Sequence, residues 1–301
     1  MVIFTAVLWL VVFDLETWFI VNSESVNIPI FGFHNIIDLR EYNDRAAKKS
    51  IYGLDYDVQN LAQFIDYLAR HNYWVLTTED LYTYFLNRSR PVPPQHLNQK
   101  PVMLTFDDGY KSVYTRILPL LKELENRYGK KLEVVLFINP KQTREDPKGD
   151  RYATCEQLRE GLAQNLYDIQ SHGYSHRRLT ELNSQELEWE LLAGQEQLRS
   201  CLNYGGDRAI ASHLAYAYND SNSTVEKRAS QYYRSGYLYN HQMLKIGWQK
   251  DFYRIPRIRV DFNQTPEQLM QIASFASTLK SGRMFHPFQS RVNANIFLNF
   301  F

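Results

Sequence analysis

Apolar and polar positions along the chain follow two periods that take turns. Ile28 to Phe33 is a short apolar run that stops at the polar pair His34-Asn35 and predicts a buried strand. After a polar loop, Val58, Leu61, Ala62, Ile65 and Leu68 recur at helical spacing, and Trp74-Val75-Leu76 predicts a second short strand. Leu81, Tyr84 and Phe85 suggest another helix, and the proline-containing stretch from Asn87 to Lys100 predicts a loop.

The rhythm then becomes regular. Val102 to Phe106 predicts a strand, Val113 to Leu124 a helix, and Leu132 to Ile138 a strand that ends at Asn139-Pro140. A helix around Leu158 to Leu162 precedes a strand at Leu166 to Gln170, and Leu182 to Leu202 reads as a long amphipathic helix with Ser184 as its cap. Further strands are expected at Ile210 to Tyr218, Gly236 to Tyr239 and Phe252 to Ile258, with helices at Val225 to Tyr233 and Pro266 to Leu279. Strands that alternate with helices imply a mainly parallel sheet, and this many units in one domain favours a barrel over an open sheet.

Composition changes this picture little. The chain has 301 residues and a net charge of +1, so no global field argues for nucleic acid or an anionic membrane. Its two cysteines, Cys155 and Cys201, fit no metal-site spacing and read as buried thiols, with at most one bridge between them. The amino-terminal end stands apart: Val2 to Phe13 and Trp18 to Val21 are apolar, and the polar run Asn22-Ser23-Glu24-Ser25 follows them. This segment lacks the basic start and cleavage site of a secretory signal and is too short to span a bilayer, yet it suggests export or membrane anchoring. The expected organisation is an apolar segment and linker over residues 1–27, a catalytic domain over 28–280 and a tail over 281–301.

Two stretches carry candidate chemistry. Asp107 and Asp108 end the Val102 strand, so alternation points them to different partners, and Gly109 permits the turn that follows. A strand-to-helix turn with a capping aspartate explains the Asp-Asp-Gly string alone equally well. His172 and His176 also follow a strand end, and on a helical turn their spacing of four would put both imidazoles on one face. Barrel sites collect residues from several strand ends, so two histidines and one aspartate suit a divalent ion with open positions, most simply zinc, with nickel or cobalt as substitutes.

The strings TFDDGY at 105–110 and SHGYSH at 171–176 resemble the first two motifs of the polysaccharide deacetylases, the NodB-type domain of carbohydrate esterase family 4. The resemblance runs from IPIFGFHNI, similar to the family's opening strand, to FYRIPRIRV, similar to a late strand of its exported exopolysaccharide-deacetylase branch. It implies a distorted (β/α) barrel with fewer than eight units, a metal held by Asp108, His172 and His176, and Asp107 as catalytic base. Tyr218 stands where the family's backbone N–H stabilises an oxyanion, although the family's aromatic-Pro-Tyr-Gly run is here Tyr216-Ala217-Tyr218-Asn219.

The resemblance also implies a late histidine as general acid, for which His286 is the candidate with His34 as its rival, and Arg257 is a candidate partner that keeps Asp107 ionised. Tyr110 and Tyr174 are candidate stacking surfaces for sugar rings. The implied activity is metal-dependent removal of N-acetyl groups from an N-acetylhexosamine polymer at the cell envelope or outside the cytoplasm. A degenerate glycan-binding protein and an amidohydrolase acting on a small non-sugar amide are the alternatives.

Overall fold

The computed structural model describes residues 26–42, 53–203, 209–247 and 251–280. The apolar amino-terminal segment, the carboxy-terminal tail and His286 lie outside the described residues. No helix among the described residues is long and apolar enough to cross a membrane.

Seven parallel strands close into a barrel: β1 (Ile30–Phe33), β2 (Lys100–Asp108), β3 (Val134–Ile138), β4 (Tyr167–Ser171), β5 (His213–Ala215), β6 (Ser235–Tyr239) and β7 (Ile255–Arg259). Closure comes from β1, which pairs with β2 on one side and β7 on the other. The expected Trp74 strand forms as Tyr73–Val75, but it pairs with the start of β2 outside the ring. A two-stranded antiparallel ribbon, Val26–Ile28 with Leu244–Ile246, lies apart from the ring in the sheet topology.

Alternation along each strand sorts the side chains into two apolar layers. Ile30, Met103, Val135, Phe137, Tyr237 and Ile255 cluster inside the ring. Phe31, Leu104, Phe106, Val134, Leu136 and Ile138 face outward, against helices that include α1 (Val58–Arg70), α2 (Leu118–Tyr128) and α3 (Cys155–Ala163). The same alternation continues upward on β2, so Thr105 and Asp107 follow Met103 into the interior.

The ring is weakest between β4 and β5, which pair at the single position Ser171↔Leu214. Gln170 bridges that seam, since its Oε1 accepts from the N–H groups of Ser212 and His213 at 2.8 and 2.9 Å. Its Nε2 donates to Asp168 and to the Ala209 carbonyl. A buried amide thus replaces strand hydrogen bonds where the barrel is distorted.

Three expectations need correction. The long helix α4 (Ser184–Leu202) is capped by Asn183, whose side chain accepts from Gln185 and Glu186 N–H while Glu186 returns a bond to Asn183. The strand expected over Ile210 to Tyr218 shrinks to three residues because Ala211 enters it at φ 49° and Tyr218 and Asn219 leave it at 57° and 58°. Cys155 and Cys201 form a disulfide, with their Cα atoms 5.3 Å apart, that ties the start of α3 to the end of α4.

Candidate active site

Strand ends on one face of the ring deliver His34, Asp107, Asp108, His172, Tyr218 and Tyr239 to a cavity of about 960 Å³. A buried ion pair forms its floor. Arg257 Nη1 and Nη2 donate to Asp107 Oδ1 and Oδ2 at 2.7 and 2.9 Å, and the Tyr239 hydroxyl donates to Oδ2 at 2.9 Å. The guanidinium is sandwiched, with the Tyr239 ring centroid at 4.1 Å and the Phe137 centroid at 5.1 Å. Arg257 Nη1 also donates to Thr105 Oγ1, while its Nε is buried without a partner.

Burial alone would raise the Asp107 pKa, but the Arg257 guanidinium and then His172 outweigh it and hold the carboxyl well below the usual range. Burial drives the Tyr239 phenol far above its ordinary value; Arg257 opposes this and the Asp107 carboxylate adds to it. Asp107 is therefore an ionised acceptor and Tyr239 a neutral donor. Room for the Tyr239 ring exists only because β1 carries glycine opposite it, since a Cβ on Gly32 would overlap the phenol.

Asp108 leaves the strand at φ 70°, which turns its carboxylate away from Asp107 toward the two histidines. Its Oδ1 lies 3.5 Å from His172 Nε2 and 3.2 Å from His176 Nε2, and accepts no hydrogen bond. His172 Nδ1 faces the Ala215 carbonyl at 2.8 Å, which places the ring proton there and leaves Nε2 with its lone pair. Burial lowers the His172 pKa to about 4, so the close approach to Asp108 is not an ion pair. One atom from each of the three residues meets within 4.8 Å. Two imidazole nitrogens converging on an orphaned carboxylate oxygen fit a divalent cation, and two imidazoles with one carboxylate suit zinc chemistry.

The expected helical turn between the histidines is absent. Gly173 at φ 78° and His176 at φ 60° fold the chain back instead, and Asn139 Nδ2 fixes the bend by donating to the His172 carbonyl at 2.5 Å. Gly194 on α4 lets that helix approach closely, because a Cβ there would sit 2.8 Å from the Gly173 carbonyl carbon.

His34 lines the cavity, its ring centroid 5.9 Å from that of Tyr239, and its Nδ1 is buried with no partner. Tyr218 packs its ring on His176 at 4.4 Å. Tyr110 lines the cavity stacked on Tyr152 at 5.5 Å, with Arg151 over both rings. Tyr174 does not line it and packs edge-on to Trp189 instead.

Sequence reasoning missed Tyr239, Tyr152, Arg151 and His241, all in the cavity wall. For Tyr239 the signal was available, since it ends a predicted strand two residues after the interior-facing Tyr237. Tyr152 had no such signal. It reaches the site because Asp146 accepts from the N–H groups of Asp150, Arg151 and Tyr152 and folds that loop back.

Residues 95–235 match the family model described as polysaccharide deacetylase. YxkH of Bacillus subtilis (strain 168), provisionally named a polysaccharide deacetylase, is 24% identical over 178 residues, covering 59% of this chain and 53% of the relative. The chain thus matches about half the length of that relative. Among solved structures, the Streptococcus pyogenes deacetylase PplD in complex with acetate aligns with TM-score 0.67 at 21% identity, over 82% of this chain and 98% of that one. A polysaccharide deacetylase from Bacillus cereus aligns with TM-score 0.66 at 18% identity, over 83% and 69%. IcaB from Ammonifex degensii aligns with TM-score 0.62 at 19% identity, over 83% and 97%. These likenesses carry the barrel fold, and the family match falls on the segment that holds both aspartates and both histidines. Over residues 95–235, this chain is similar to the polysaccharide deacetylases.

Proposed function

We propose that the protein is a metal-dependent hydrolase that removes N-acetyl groups from an N-acetylhexosamine polymer. The observation that carries this reading is the side-by-side placement of an ionised, hydrogen-bonded Asp107 and the Asp108, His172 and His176 donor set in one open cavity. A divalent ion held by those three residues, most simply zinc, would supply Lewis-acid polarisation of the acetyl carbonyl and acidify the attacking water.

The remaining steps belong to the chain. Asp107 accepts the proton of the attacking water, and the geometry from Arg257 and Tyr239 fixes which carboxylate edge is offered. The Tyr218 N–H donates to the carbonyl oxygen as it gains negative charge. His34, at the cavity wall, gives a proton to the departing amine. Tyr110, stacked on Tyr152, offers an aromatic face for a neighbouring sugar ring.

The acetate bound to PplD is the product class that this reaction releases. An extracytoplasmic location is part of the proposal, and the Cys155–Cys201 disulfide supports it because such bonds persist in oxidising compartments. The test is acetate release from acetylated oligosaccharides of increasing length, run against small non-sugar amides. Release that rises with oligomer length is expected, since remote sugars contribute binding energy at the reacting centre. Cleavage of small amides alone would replace the reading with an amidohydrolase, and binding without release would make the protein a glycan-binding one.

A further inference from the structure

The turn that presents the Tyr218 N–H departs from its family's sequence at two positions, with Ala217 and Asn219 where the resemblance has proline and glycine. Proline restricts φ and glycine accepts positive φ freely, so the family's turn is set by its backbone. Here Tyr218 and Asn219 both hold positive φ, at 57° and 58°. A bulky residue in that region persists only where its surroundings over-determine it.

Side chains provide that restraint. Asn219 Nδ2 donates to the Tyr239 carbonyl at 2.8 Å, and the Tyr239 N–H donates to Asn219 Oδ1 at 2.5 Å. One amide thus pairs with both main-chain groups of the residue at the end of β6, as another strand would. On the opposite side, Asp220 Oδ2 accepts from Thr180 N–H and Oγ1 at 3.0 and 2.7 Å. The turn's own bonds use the N–H groups of Asn219 and Asp220, which reach the carbonyls of Tyr216 and Ala217, and not that of Tyr218. Tyr239, the residue Asn219 grips, is itself fixed by its hydroxyl on Asp107 and its ring on Arg257.

We propose that Asn219 is a positioning residue that locks the Tyr218 N–H into register with Asp107 by clamping the turn to the main chain of Tyr239. The proposal rests on the deacetylase reading for its catalytic consequence, whereas the clamp itself does not depend on it. Its role goes beyond tolerance of positive φ, and that distinction decides the test.

Asn219→Gly keeps, and relaxes, the left-handed backbone but deletes the clamp. Were the side chain present only to tolerate positive φ, glycine would serve as well or better. The expected result is a kcat about 10- to 100-fold lower for acetate release, the scale of a misaligned transition-state donor, with KM within about twofold of the parent. Asn219→Asp keeps the acceptor for the Tyr239 N–H and loses the donor to its carbonyl, so it should fall between the two. Amide hydrogen exchange over residues 214–222 supplies a readout free of catalysis, and Asn219→Gly should exchange faster there while the β2 segment keeps its protection. An Asn219→Gly enzyme with parental kcat, or with unchanged exchange over 214–222, overturns the proposal. Absence of acetate release from the parent protein would refute the deacetylase reading instead, leaving the exchange result to judge the clamp.

Discussion

Arg257→Met tests whether the floor of the site is held together by the Arg257–Asp107 pair. Both side chains are inaccessible, at 0% and 1% exposure, so neither charge can turn to water when its partner is removed. Methionine roughly matches the aliphatic stem and keeps contact with Phe137 and Tyr239. What disappears is the bidentate pair, which leaves Asp107 with the Tyr239 hydroxyl as its remaining donor. Removing one half of such a buried pair costs about 3–5 kcal/mol. Part of this is offset, because Arg257 Nε is already buried without a partner and its loss relieves about 1 kcal/mol. The net expectation is a destabilisation of about 2–4 kcal/mol, read as a lower urea midpoint at constant m-value. Adding Asp107→Asn removes the stranded charge, so the double variant should be more stable than Arg257→Met alone, the sign of coupling a thermodynamic cycle detects. A loss below about 1 kcal/mol in Arg257→Met, or strictly additive effects in the cycle, would refute this account of the site.

Other predictions follow from single contacts. Asp107→Asn should keep fold and metal while acetate release drops roughly 10²-fold or more, and near-parental turnover would place the base elsewhere. The His172→Ala/His176→Ala double variant should lose bound metal, from about one ion per chain to background by elemental analysis; an unchanged content would dismiss the donor set. Glu79 sits outside the site, 3.9 Å from the His213 imidazole and 2.7 Å from Arg234, and contact with the imidazole, joined by the Arg234 charge, outweighs burial and holds its carboxyl down at about 2 against an ordinary 4.5. A depressed carboxylate contributes stability that is present above its unfolded pKa and lost as pH falls toward its folded one. Thermal midpoints of the parent and Glu79→Gln should therefore differ at neutral pH and converge between pH 4.5 and about 2, with a modest gap because the side chain is 47% exposed. A gap that stays constant across that range would show that the shift is not coupled to folding.

Much of the architecture could be read from residue order, because each barrel strand is a short apolar run ending on polar residues, and that pattern needs no knowledge of distant partners. Ends of elements were less legible. Ser184 and Asn183 are both good caps, and Glu186 decides between them by closing the reciprocal bond with Asn183. His172 and His176 have the spacing of a helical turn, yet Gly173 breaks it, and the histidines converge through the packing of Gly173 against Gly194. Of the long-range pairs, Arg257 with Asp107 was expected and forms, but others left no trace in the sequence. The Tyr239 hydroxyl meets Asp107 across 132 positions, and the two cysteines meet across 46, and nothing local to any of these residues announces its partner.

Two neighbouring carboxylates with identical chemistry acquire different surroundings through the backbone turn that begins at Asp108. Asp107 keeps extended geometry, points into the ring with Thr105 and meets three donors from β6 and β7. Those donors make it a fixed anion and leave it poorly suited to bind a cation as well. Asp108 would point outward into the apolar layer beside Phe106 if the strand continued. Its φ of 70° and that of Gly109 at 77° turn the chain first, and a Cβ at Gly109 would press on Ile138 at 2.9 Å. Turned this way, Asp108 faces two imidazole nitrogens where Asp107 faces protons, and its free Oδ1 is available as a ligand atom. The glycine after the aspartates is therefore as much a condition of the donor set as the histidines, because without the turn one carboxylate would be buried among hydrocarbon and the two imidazoles would lack their third partner.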